Sequence, residues 1–202
     1  MIYIFEIIVL VFSAIIHEYM HGFVADRLGD NTAKSLGRLT LNPIPHIDLF
    51  GSIILPLLMV FSGTGLVFAW AKPVPFNPYN LRDQRFGVAK VALAGPLGNL
   101  ILALMFAAVL RFVPNLGEYM TIFLGIIVYI NLILMVFNLV PIPPLDGSKV
   151  LAAFLPPKLQ LRFFAIERYG MFLVLLFVMF GYNIITPVIS GLFHLLTGYN
   201  LF

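Results

Sequence analysis

His17, Glu18 and His21 form a His-Glu-x-x-His pattern near the end of a run of about 25 largely apolar residues. On a helix of 3.6 residues per turn, two imidazoles four positions apart sit about 40° apart on one face. Such a pair can grip one Zn²⁺, and the carboxylate between them can take a proton from water. Ionisable groups in a membrane segment are disfavoured by about 2.5–3.5 kcal/mol each on insertion scales, so three together point to chemistry. The expected chemistry is hydrolysis of a bond in or beside a bilayer.

A catalytic zinc ordinarily has three protein ligands and one open position. The chain has no cysteine, which excludes thiolate ligands and disulfides and leaves His, Asp and Glu. The candidates for the third ligand are Asp146, His46, Asp48 and His194. Asp146 follows Pro141, Pro143 and Pro144 and precedes Gly147.

The elements that must bring these residues together are apolar. Of 202 residues 61% are hydrophobic and 10% charged, against about 25% charged in soluble domains. This composition predicts an all-α polytopic membrane protein with about four to six transmembrane helices, and a re-entrant or short β-like segment near the site. A single membrane-embedded domain should fill residues 1–202, with a core of about 1–168 and an additional C-terminal transmembrane segment at 169–202. The first run has no basic n-region and no small-x-small cleavage site, so it reads as a retained helix and not a signal peptide. Further apolar stretches lie at 49–70, 88–112, 119–140 and 169–197. The second is interrupted by Pro56 and Ser62-Gly63-Thr64-Gly65, the last by Gly181, Asn183 and Pro187. Ser35 to Asn42 alternate loosely, as a short strand would.

Charge placement selects a topology. If 49–70 dips into the bilayer and returns, every Lys and Arg except Arg111 shares one side. The positive-inside rule makes that side cytoplasmic and puts the N-terminus outside. At 1.5 Å per residue the histidines lie roughly 25–30 Å along the first helix, near the inner face of a core about 30 Å thick. The same re-entrant topology delivers Asp146 to that face, whereas five full crossings would strand it opposite. Charge bias and ligand geometry agree.

A Zn²⁺ held there would acidify a water toward a pKa of about 7. Glu18 would accept its proton and return it to the leaving amine. Asn138, one turn before Pro141, could hold the substrate backbone or the developing oxyanion. Asn99 reads as an interhelical hydrogen-bonding residue. His46 and Asp48 read as cap or interface residues, with a role near the active-site entrance as the alternative, and His194 has no role by this topology.

His17-Glu18-Tyr19-Met20-His21, paired with Asn138-Leu139-Val140-Pro141 and Leu145-Asp146-Gly147, resembles the site-2 protease family of intramembrane zinc metalloproteases. Gly37-Arg38-Leu39-Thr40-Leu41-Asn42-Pro43, Trp70-Ala71-Lys72-Pro73-Val74-Pro75 and Ala94-Gly95-Pro96-Leu97-Gly98-Asn99 resemble its short prokaryotic branch, without inserted PDZ or appended CBS domains. The resemblance implies His17, His21 and Asp146 as ligands of one Zn²⁺, Glu18 as catalytic base and Asn138 as a substrate contact. An edge formed by Gly37, Arg38, Leu39 and Thr40 could hold an unwound substrate by main-chain pairing. The implied partners are single-span membrane protein substrates and the lipid bilayer of a prokaryotic plasma membrane. Nucleic acid is not expected, and a homo-oligomer is compatible with the sequence. The rival reading is a catalytically silent membrane scaffold or a zinc-handling membrane protein.

Overall fold

A computed structural model describes residues 2–62 and 71–200. Helix α1 (Ile2–Arg27) is followed by a one-turn helix α2 (Thr32–Ser35), a π-helical turn Leu49–Ile54 and α3 (Leu55–Phe61). Then come α4 (Gly87–Phe112), α5 (Glu118–Asn138), α6 (Asp146–Ala152), α7 (Pro157–Ala165) and α8 (Gly170–Thr197). No strand forms among the described residues. α1, α4, α5 and the run Pro157–Gly181 are long and apolar enough to cross a membrane. The all-α polytopic reading therefore holds. α8 continues unbroken past Gly181 and through Pro187, so the last apolar run is one helix.

α4 is the central element, packed by α1, α5, α6 and α8. Ala103, Ala107 and Leu110 of α4 meet Leu124, Val128, Leu132 and Met135 of α5 and Ile189 and Phe193 of α8. Small residues let α1 come close to α4, the usual basis of helix contact where lipid removes a hydrophobic driving force. A Cβ on Gly98 would lie 2.7 Å from Met20 Cγ, and one on Gly95 would lie 2.5 Å from His17 Nε2 and His21 Nε2. Pro96 takes one donor out of the α4 ladder in that turn.

Within the 49–70 stretch, the described residues form the π-helical turn Leu49–Ile54 and the short α3 (Leu55–Phe61). The backbone N–H of Lys72 donates to the carbonyl of His46 at 2.8 Å, so the chain returns to the place it left. Of the two forms expected for this region, its described residues take the helical one and not the β-like one. The Gly63-Thr64-Gly65 bend and Trp70 lie outside the described residues. Ser35 to Asn42 is not a strand. It closes α2 and continues through turns and bends, with Gly37 at φ 65° and its N–H on the carbonyl of Lys34. Local turn bonding satisfies backbone groups that a ladder would have used.

Candidate metal centre and active site

His17 and His21 lie one turn apart on α1 and are both buried. Asp146, the first residue of α6, reaches them from the other end of the sequence. Its Oδ2 lies 3.0 Å from His17 Nε2 and 3.1 Å from His21 Nε2. The turn that returns it is tight: a Cβ on Gly147 would run into the carbonyls of Leu139 and Val140. Only glycine fits there, so the chain can fold back from α5 and start α6 beside α1. Lys149 Nζ donates to the other oxygen, Oδ1, at 3.3 Å.

Hydrogen bonds on the far side of each ring determine what the rings offer. His21 Nδ1 lies 2.7 Å from the carbonyl oxygen of Val91, which can only accept, so Nδ1 carries the proton. His17 Nδ1 lies 2.6 Å from Asn99 Oδ1. The Asn99 amide is oriented by its own Nδ2, which donates to Ser13 O at 3.2 Å and Asn131 Oδ1 at 3.0 Å. Asn131 Nδ2 in turn donates to Ser13 Oγ and to Ile127 O. His17 therefore also carries its proton on Nδ1. Both Nε2 lone pairs face the Asp146 carboxylate, three electron-rich atoms that repel one another unless a cation lies among them. Donor atoms held tetrahedrally at about 2.0–2.1 Å from zinc stand about 3.4 Å apart, close to the spacings here. Among the described residues this is the group of His, Asp and Glu that could hold a metal ion. The donor set fits zinc, and the Nδ1 bonds are the outer-shell support that metal-bound imidazoles require.

Glu18, half-buried, follows His17 on α1 and turns toward the 71–77 loop, where its Oε2 accepts the Val74 N–H at 2.9 Å. Asn138 closes α5 and donates from Nδ2 to Leu134 O at 2.9 Å within its own helix. Gly37 is exposed, and Arg38, Leu39 and Thr40 are half-buried. Arg38 Nη2 donates to Lys72 O and Pro73 O, and the Thr40 carbonyl accepts from His46 Nε2. His46 is thus a buried structural residue away from the ligand group, and Asp48 caps the π-helical turn by accepting the Gly51 N–H. His194 sits at the far end of α8, its Nδ1 by Tyr199 O. Asn99 does join helices, as its type suggested, and it also orients His17. That second role, with those of Val91 and Lys149, was missed. A backbone carbonyl has no sequence signal, whereas Asn99 one turn after Gly95 could have been noticed.

A model of Peptidase family M50 matches residues 113–181, which include Asp146. YwhC of Bacillus subtilis is 37% identical over 195 residues, covering 92% of this chain and 85% of that protein. The chain belongs to peptidase family M50, the site-2 proteases. Rip2 of Mycobacterium tuberculosis H37Rv is 32% identical over 184 residues, covering 90% of this chain and 66% of Rip2. MJ0611 of Methanocaldococcus jannaschii is 34% identical over 154 residues, covering 75% and 71%. All three carry zinc-metalloprotease names. No solved structure matches. Membership of the M50 family and the buried His/His/Asp group together make this protein a zinc-dependent metalloprotease.

Proposed function

We propose that this M50 protease is an intramembrane endopeptidase that cuts single-span membrane proteins in or near their transmembrane segments, at the cytoplasmic side of a prokaryotic plasma membrane. The observation that carries the reading is the convergence of His17, His21 and Asp146 at one end of apolar helices, with Glu18 beside them. His17, His21 and Asp146 hold the metal. Bound zinc supplies Lewis acidity and acidifies water at neutral pH. The Glu18 carboxylate takes the proton as water attacks the peptide carbonyl and returns it to the leaving amine. Asn99 and Val91 fix the tautomer and orientation of both imidazoles, leaving each Nε2 to the metal. Asn138 at the end of α5 and Gly37, Leu39 and Thr40 of the turn after α2 are the proposed substrate contacts, while the Arg38 guanidinium is engaged by the Lys72 and Pro73 carbonyls. Supporting the sidedness, the topology gathers every Lys and Arg except Arg111 at the end that carries the site. A transporter would need polar groups along a route through the spans, and here they gather at one depth.

The test is Glu18→Gln in purified, zinc-loaded protein with a model single-span substrate. Zinc should stay at one per chain while cleavage falls by about 100-fold or more. Cleavage within a few-fold of the parent protein would defeat the assignment.

A further inference from the structure

The loop that follows the re-entrant segment lies across the proposed general base. Pro73 and Pro75 flank Val74 and have no backbone N–H. Within this tripeptide, Val74 alone can donate, and its N–H goes to Glu18 Oε2 at 2.9 Å. Val74 itself is only 5% exposed. Its side chain fills a notch at Gly22, one turn after Glu18 on α1: a Cβ on Gly22 would lie 2.8 Å from Val74 Cγ1, 3.3 Å from Ala33 Cβ and 3.3 Å from Leu39 Cδ1.

The loop is pinned on both sides of Val74. Upstream, Arg38 Nη2 donates to the Lys72 and Pro73 carbonyls at 3.0 and 3.3 Å, and Lys72 N–H donates to His46 O. Downstream, the N–H of Asn77 donates to Asp30 Oδ2 at 2.6 Å. Anchors that are distant in sequence therefore place one amide proton on one carboxylate oxygen. Two prolines also restrict the backbone between the anchors.

We infer that the Pro73-Val74-Pro75 strap, anchored by Arg38, is a positioning device for Glu18: the Val74 N–H holds Oε2 and leaves Oε1 to take the proton from water. The inference rests on the general-base reading of Glu18. A carboxylate on a half-buried side chain has several rotamers, and a base displaced by about 1 Å can lose about 100-fold in rate. A single charge-assisted bond from a fixed backbone selects one rotamer before substrate arrives. Arg38, which the sequence suggested as a substrate contact, acts here through the strap.

The experiment compares Val74→Pro, which removes the N–H from an already proline-flanked position, with Val74→Ala, which keeps it. Zinc content, kcat and KM are measured on a model single-span substrate. Capture of that substrate by each variant in a Glu18→Gln background is measured as well. Val74→Pro should lose about 10- to 100-fold in kcat at unchanged KM, zinc content and capture, while Val74→Ala stays within about threefold. Val74→Pro with near-parent kcat overturns the inference. Equal losses in both variants, or a loss of capture, overturn it too, because the side chain or a substrate seat would then be responsible. If Val74→Pro does not yield zinc-loaded protein, Arg38→Gln decides. A kcat lowered about tenfold at unchanged zinc and capture supports the strap, and an unchanged kcat overturns it. Cleavage by Glu18→Gln alone would instead refute the general-base reading, a separate outcome.

Discussion

At the residue scale, the site depends on groups that never touch substrate. A histidine ligand must be neutral and must carry its proton away from the metal. Val91 O sets the second of these, the place of the proton, for His21, and the Asn99 amide, held by Asn131 and Ser13, sets it for His17. These polar groups are buried in apolar helices, where an unpaired donor or acceptor costs about 1–3 kcal/mol, so the network is closed on itself. Replacing Asn99 by Leu frees His17 Nδ1 and breaks the link to Asn131. Zinc affinity should fall about 10- to 100-fold, read by chelator competition. Affinity unchanged by Asn99→Leu would mean that the helix alone orients His17.

At the scale of elements, Asp30 ties together the region between α1 and α4. Asp30 is fully buried, just beyond α1, and accepts from the Thr32 hydroxyl and N–H, Asn80 Nδ2 and Asn77 N–H. Burial alone would raise its pKa. The hydrogen bonds from Thr32, Asn80 and Asn77 outweigh that and hold the carboxyl below its usual value. A lowered folded-state pKa gives stability that is complete above the ordinary carboxylate range, near about 3.9, and is lost as pH falls through the folded value. The loop bearing Val74 is tied to this carboxylate, so its order should weaken in acid. Asp30→Asn should cost about 2–4 kcal/mol at pH 6 in thermal or denaturant unfolding. The gap between parent and variant should narrow as pH drops from about 5 to 3. A gap constant over that range would separate the effect from the charge on Asp30.

At the scale of the molecule, the chain is back beside His46 at Lys72 before α4 begins, and the ligands on α1 and α6 meet at one end of the helices. Arg111 stands at the other end, where its Nη1 donates to Leu195 O of α8. The absence of native cysteine makes the sidedness directly testable. Single cysteines at Lys34 and Lys158 should label with a membrane-impermeant maleimide only from the cytoplasmic side, and one at Glu118 only from outside, with at least about tenfold bias. Lys34 and Glu118 labelling from the same side would dismantle the topology. The apolar face of the first half of α8, with Phe172, Leu175, Met179 and Phe180 exposed, is the surface such a protein offers to lipid.

Much of this protein was legible in its residues. Helical spacing put His17 and His21 on one face, hydropathy marked the spans, and the bias of Lys and Arg selected the topology that carries Asp146 to the histidines. These are local or one-dimensional signals, because a 3.6-residue period and a count of charges by loop need no partner. The strand suggested at Ser35 to Asn42 failed because alternation over eight residues does not report where the main-chain bonds go. There they close a turn at Gly37 and receive His46. Only the folded chain could decide the tautomers of the imidazoles, the use of Gly95 and Gly147 as spaces for a ring and a carbonyl, and the meeting of Val74 with Glu18. Apart from the tight turn at Gly147, each joins positions dozens of residues apart, and each depends on how closely packed elements approach, which packing sets and sequence patterns do not record.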